Sequence, residues 1–203
     1  MEWSDKEYIL KSIRKNGMDL SRALEKIRSD KEIVTEACKQ YGKNLEFVIN
    51  PLKDNKEVVL EAVKNDGMAL KFASPSLQND RSIVMTAVKQ NSNAILFASK
   101  ELQNDKAVAM EAVKNDGMLL KFLSNDLKNN KDIVLNAVGN NPEALFYASD
   151  FLKDDKQIVS EAVKNNELSL RFASDRLKDF FCNSWEHKLA NDKLNDLSND
   201  FEK

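Results

Sequence analysis

Few residues in this chain have the types that catalysis or metal binding requires. The single histidine, His187, follows Cys182 by five residues, and together they form the sequence's one Cys-x₄-His pair. A structural zinc site needs about four ligands, and a cysteine and a histidine work as nucleophile and base only when the fold brings them together. No glycine-rich phosphate loop or Gly-x-Ser-x-Gly turn is present. We therefore expect no catalytic residue, no metal and no cofactor.

The remaining polar residues recur with a period of 25. Seven consecutive units, numbered 1 to 7 here, begin at Asp5, Asp30, Asn55, Asp80, Asp105, Asn130 and Asp155. Positions 1 to 25 are counted from each of these residues. Units 3, 5 and 7 resemble one another more than they resemble units 4 and 6, which indicates a longer period of about 50 residues. Such periods are typical of repeat architectures.

Position 2 is basic in every unit, and it is the first candidate for a binding surface. The column comprises Lys6, Lys31, Lys56, Arg81, Lys106, Lys131 and Lys156. Lysines and arginines in register could follow a nucleic-acid backbone. However, a cation in a first helical turn opposes the helix dipole, and acidic residues accompany most members of the column. We therefore expect each cation to pair with a carboxylate of an adjacent unit.

Each unit has the pattern of two short α-helices. Asp or Asn at position 1 is suited to cap a first helix over positions 1–11, whose apolar residues at positions 4, 5, 8 and 9 share one face. Glycine at position 13 in four units predicts a left-handed helix end. A second helix is predicted over positions 13–20. Its position 18 is aromatic in six units, and we expect this aromatic column to lie in the core. Serine at position 20 predicts a cap for a final turn.

The second candidate surface is the ridge, defined as positions 14, 17 and 21 on the outward side of the second helix. Large apolar residues alternate between positions 14 and 17 along the repeat, and we single out Met68, Leu96, Met118, Phe146 and Leu168. A stripe of this kind could hold a partner. Alternatively, these residues could complete the packing between units, because methionine at helical spacing is commonly a core residue.

These patterns predict an all-α fold, an α-solenoid of seven 25-residue helix–turn–helix units. We expect one elongated domain over residues 1–203, with an N-terminal capping unit at 5–29, core repeats at 30–179 and a C-terminal capping helix at 180–203. The formal net charge of −2 disfavours a general affinity for nucleic acid. No membrane-spanning stretch or signal peptide is evident, so we expect a reducing, cytoplasmic compartment.

The run from Asn55 to Ser74, Asn-Lys-Glu-Val-Val-Leu-Glu-Ala-Val-Lys-Asn-Asp-Gly-Met-Ala-Leu-Lys-Phe-Ala-Ser, resembles the DUF4116 repeat family, a domain of unknown function. The runs beginning at Asp105 and Asp155 resemble it too, and the resemblance extends from about Asp30 to Asp179. The family is built from modules of about 50 residues and occurs in protists and in bacteria that live inside eukaryotic cells. The resemblance implies an interaction module that faces a host or partner, with translocation into a host cell, and it carries over no catalytic residue.

We therefore expect a non-enzymatic scaffold that binds an unidentified protein or peptide. Two alternatives stay open: a nucleic-acid-binding repeat that uses the basic column, and an architectural spacer. Binding that weakens steeply with salt would favour the nucleic-acid alternative.

Overall fold

The computed structural model describes residues 6–16 and 19–183, and in these residues the regular structure is entirely helical. Each unit contributes one long α-helix that begins at position 2. The long helices are Lys6–Asn16, Lys31–Gln40, Lys56–Asn65, Arg81–Gln90, Lys106–Asn115, Lys131–Asn140 and Lys156–Asn165. These bounds agree with the first helix that the sequence predicts.

The second predicted helix is a 3₁₀-helix followed by a separate short α-helix. The 3₁₀-helices are Leu20–Arg22, Gly42–Phe47, Gly67–Phe72, Ser92–Phe97, Gly117–Phe122, Pro142–Tyr147 and Glu167–Phe172. The short helices are Glu25–Arg28, Asn50–Lys53, Pro75–Gln78, Lys100–Gln103, Asn125–Lys128 and Asp150–Lys153. A last helix begins at 175 and is described as far as 183, so most of the predicted capping helix, with His187, lies outside the described residues.

Side-chain caps determine where the helices begin. In unit 4, the Asp80 carboxylate accepts hydrogen bonds from the backbone N–H groups of Ser82 and Ile83, at 2.9 and 3.2 Å. Position 12 caps the 3₁₀-helix in the same way, because Asp66 accepts from the N–H of Met68 at 3.0 Å. The predicted serine cap at position 20 is present, since the Ser74 hydroxyl accepts from the N–H of position 23 at 3.3 Å. Each unit therefore carries its own start signals in Asp, Asn and Ser side chains.

Three residues per turn explain the sidedness of the 3₁₀-helix. Side chains three apart point the same way in this helix, so positions 13 and 16 share one side, 14 and 17 a second, and 15 and 18 a third. In unit 4, Ile95 at position 16 and Ala94 at position 15 are buried, whereas Leu96 at position 17 is exposed. The ridge positions 14 and 17 are thus aligned by the geometry of the 3₁₀-helix.

A single apolar core runs from unit 1 to unit 7. Positions 4, 5, 8 and 9 of the long helices are buried together with positions 15, 16 and 19, and leucines at position 23 close the cluster. Each long helix packs against the long helix of the next unit and against neighbouring 3₁₀-helices. Short helices of this length are not stable alone, so burial between adjacent units holds them in place.

Glycine at position 13 has a different cause from the one predicted. The backbone of Gly42, Gly67 and Gly117 does not adopt the left-handed conformation. Instead, a Cβ atom added to Gly67 would lie closer than 3.0 Å to the carbonyl oxygen of Ala87 in the next unit. The left-handed helix end is therefore wrong, and the glycine is needed because two backbones approach closely.

Polar side chains fix the register between neighbouring units. Asn140, at position 11, accepts a hydrogen bond from the N–H of Gly117 at 2.8 Å and donates one to the Lys114 carbonyl at 3.0 Å. The hydroxyl of Ser149, at position 20, donates to the Asn129 side chain of the preceding unit at 2.6 Å. Because these bonds join positions 20 to 26 residues apart, they hold successive ridges in line along the molecule.

Candidate partner-binding face

The basic column is largely neutralised by the next unit. The ammonium of Lys56 lies 2.6 Å from the Asp80 carboxylate, and that of Lys106 lies 2.7 Å from Asp132. The remaining pairs across units are Lys6 with Asp30 and Glu32, Lys31 with Glu57, Arg81 with Asp105, and Lys131 with Asp155. The expected pairing with an adjacent carboxylate is confirmed for these six cations.

These ion pairs perturb the acidic partners. The Lys56 ammonium and the Ser82 hydroxyl hold the pKa of Asp80 well below its usual range. In the same way, Arg81 lowers the pKa of Asp105, which also receives two backbone hydrogen bonds as a helix cap. Each such aspartate stabilises its own helix and binds the preceding unit. Lys156 departs from the pattern, because its ammonium lies 4.1 Å from the centre of the Phe180 ring.

The structure divides the five predicted ridge residues into two groups. Met68 and Met118, at position 14, are half-buried. Leu96 is 36% exposed, Phe146 54% and Leu168 69%. The methionines therefore contribute to packing between units, whereas Leu96, Phe146 and Leu168 present apolar surface to solvent.

The aromatic column at position 18 is not a core column. Phe47, Phe72, Phe97, Tyr147 and Phe172 are half-buried against the edge of the core, and Phe122 is 50% exposed. The sequence-based prediction is wrong because it assumed an α-helix, in which position 18 would turn inward. In the 3₁₀-helix it lies above the small buried residue of position 15. Together the ridge and the aromatic column form one surface, which we call the ridge face.

Phe146 is the centre of an aromatic cluster on the ridge face. Its ring packs edge-on against Tyr147 at 5.0 Å between ring centres and against Phe172 of the next unit at 5.3 Å. Phe151, on the following short helix, is 76% exposed. Position 17 of unit 6 thus meets position 18 of unit 7, and the apolar surface continues across the boundary between units.

Cations at position 17 lie over aromatic rings on the same face. The Lys71 ammonium is 4.5 Å from the centre of the Phe72 ring, and Lys121 lies at the same distance from Phe122. Arg171 lies 4.5 Å from the ring of Phe172. The sequence analysis overlooked these pairs, although the alternation of a basic and an apolar residue before each aromatic was visible in it.

The cysteines form no reactive centre in the described part of the chain. Cys38 is buried at position 9, and burial raises the pKa of its thiol to about 12, so it is a small core residue as expected. Cys182 is exposed and unpaired. Among the described residues, no three His, Cys, Asp or Glu side chains are grouped in a way that could hold a metal ion.

The model of a domain of unknown function, DUF4116, matches residues 5–53, 55–103, 105–151 and 134–178. The chain belongs to the DUF4116 family. The first three matches begin 50 residues apart, in agreement with the longer period, and the first includes unit 1, which the resemblance had left out. No curated protein and no solved structure matches the chain. Within the described residues of this DUF4116 protein, no helix has both the length and the apolarity needed to cross a membrane.

Proposed function

We propose that this DUF4116 protein is a non-enzymatic scaffold that binds a protein or peptide on its ridge face. The observation that carries the proposal is the exposed aromatic cluster around Phe146. Contiguous exposed apolar surface is uncommon on soluble proteins and typically marks an interaction site. Aromatic side chains are also enriched among the residues that contribute most to binding.

The proposal includes the architecture that presents this face. Seven units stack through nearest-neighbour contacts as an elongated α-solenoid, with 5–29 and 180–203 as its capping segments. Such a stack repeats one surface at each unit, and therefore offers an extended site for a long partner segment. The continuous core and the hydrogen bonds between successive units support this arrangement.

The paired basic column favours a protein partner over nucleic acid. A phosphate backbone would have to displace carboxylates that already neutralise six of these cations. For location, we propose a reducing compartment, which suits the two free cysteines. The family resemblance further suggests the cytoplasm of a host cell as the place of action.

A comparative pull-down from a eukaryotic cell lysate tests this function. The baits are the wild type, the ridge variant Leu96→Glu/Phe146→Glu and the control variant Tyr8→Glu/Tyr41→Glu. The control places two carboxylates at residues that are 61% and 54% exposed but lie off the ridge face. Circular dichroism first establishes equal helicity.

We expect the wild type and the control to retain the same partners and the ridge variant to lose them. If all three baits retain the same partners, or none retains any, the scaffold proposal is wrong and the spacer alternative gains support.

A further inference from the structure

We propose that the ridge face binds an extended acidic–apolar peptide segment, whose carboxylates contact Lys71 and Lys121 and whose intervening apolar side chain covers Leu96. This inference rests on the proposed function and specifies the chemistry of its partner. Lys71 and Lys121 occupy position 17 in units 3 and 5, and both side chains are exposed. The two cations therefore flank the apolar position of unit 4.

Both ammonium groups are available to a partner. Within residues 6–16 and 19–183, neither is in an ion pair, in contrast to the cations of position 2, and each lies over the aromatic ring that follows it. A ring beneath the ammonium holds the side chain in place at the surface. A carboxylate that arrives from solvent would meet a positioned charge.

The same face shows how a carboxylate binds such a cation. In unit 7, Arg171 lies over Phe172 and receives the Glu143 carboxylate of unit 6 at 3.5 Å. Glu143 stands at position 14 of the preceding unit. The corresponding residue for Lys71 is Lys43, and for Lys121 it is Asn93. The chain thus supplies its own carboxylate at one of three equivalent places and leaves the other two open to a partner.

The spacing of the cations indicates an extended partner. Helices pack about 9 Å apart, so two units separate Lys71 from Lys121 by roughly 18–20 Å. An extended chain covers about 3.3 Å per residue, so this distance corresponds to about six residues. Residues separated by an even number lie on the same side of an extended chain. Carboxylates at i and i+6 would therefore face the two lysines, with an apolar residue between them facing Leu96.

The test selects binders from a phage-displayed library of random peptides. The library is panned on the wild type, on Lys71→Glu/Lys121→Glu and on the control Lys89→Glu/Lys114→Glu. The control reverses the same number of exposed lysines on the long helices, and all three proteins are checked for equal helicity. Selected peptides are then synthesised with a fluorescent label, and their affinities are measured by anisotropy.

We expect peptides selected on the wild type to carry Asp or Glu six residues apart around an apolar residue. They should bind the Lys89/Lys114 control as tightly as the wild type and bind the Lys71/Lys121 variant about tenfold or more weakly. Replacing both peptide carboxylates by lysine should restore binding to the Lys71/Lys121 variant and abolish it for the wild type.

Selected peptides without paired carboxylates would overturn the inference, as would affinities that the Lys71/Lys121 reversal leaves unchanged or a failure to enrich any peptide. Binding of a single-stranded oligothymidylate that this reversal abolishes would assign the face to nucleic acid instead. If one of these results appears while the Leu96/Phe146 ridge variant still loses its lysate partners, only the acidic-peptide inference fails. If the ridge variant keeps those partners, the proposed function fails as well.

Discussion

The glycine at position 13 provides a sharp test of how closely the units pack. In Gly67→Ala, the new Cβ atom would lie closer than 3.0 Å to the backbone carbonyl oxygen of Ala87. Neither group can rotate away, so units 3 and 4 must separate. Overpacking of this kind costs about 1–3 kcal/mol. The hydrogen bond from the Gly67 N–H to the Gln90 side chain, at 2.5 Å, would lengthen and add about 1 kcal/mol.

We therefore expect Gly67→Ala to lower the free energy of unfolding by about 2–4 kcal/mol. Gly139→Ala is the matched control, because its added Cβ would meet no atom within 4 Å. Gly139 lies inside a long helix, where alanine is favoured over glycine by about 0.5–1 kcal/mol. The control should consequently be more stable than the wild type.

Urea unfolding followed by far-UV circular dichroism measures both changes, and Gly67→Asn separates the two explanations of the glycine. Asparagine tolerates the left-handed conformation but is larger than alanine, so close approach predicts a loss for Gly67→Asn at least as large as for Gly67→Ala. A tolerated asparagine, or a Gly67→Ala protein within about 0.5 kcal/mol of the wild type, would refute the close approach of the two backbones.

Three further predictions follow from burial and from the contacts between units. Ile95→Ala should cost about 2–5 kcal/mol in urea unfolding, whereas Phe97→Ala should cost about 2 kcal/mol or less because only about half of its ring is buried. Equal losses would return the aromatic column to the core. Lys56 lowers the pKa of Asp80, and a lowered carboxyl pKa stabilises the fold above about pH 4 and loses that contribution as the pH falls through the lowered value. In an acid titration followed by circular dichroism, Lys56→Ala should lose less stability between neutral and acidic pH than the wild type does, and parallel curves would contradict this ion pair. Asn140→Leu removes two hydrogen bonds to the preceding unit and should cost about 1–2 kcal/mol in urea unfolding, and an unchanged midpoint would show that these bonds do not stabilise the stack.

The ridge face is also where sequence and structure disagree most. Sequence reasoning selected the two methionines together with Leu96, Phe146 and Leu168, because all five are large and apolar at helical spacing. Half-burial removes the methionines from the exposed set, while Phe122 and Phe151 join it. The difference arises because the outward direction of a side chain depends on the number of residues per turn, which the apolar pattern of a six-residue segment does not determine.

The sequence by itself determined what depends on neighbouring residues. The period, the bounds of the long helices, the caps at positions 1 and 20 and the pairing of the basic column follow from side-chain chemistry that acts within a few residues or repeats in register. An aspartate before a helix caps it wherever that helix lies. A charge that opposes the helix dipole needs a nearby opposite charge, and the adjacent unit supplied one in six cases.

Only the tertiary structure decided what depends on the distance between units. The close approach of Gly67 to Ala87, the 3₁₀ geometry of the second segment and the hydrogen bonds of position 11 all arise from packing one unit against the next. In a segment of six residues, the local preferences for α and 3₁₀ geometry are too similar to select one of them. Packing against the neighbouring unit made that selection, and with it placed the aromatic column at the surface.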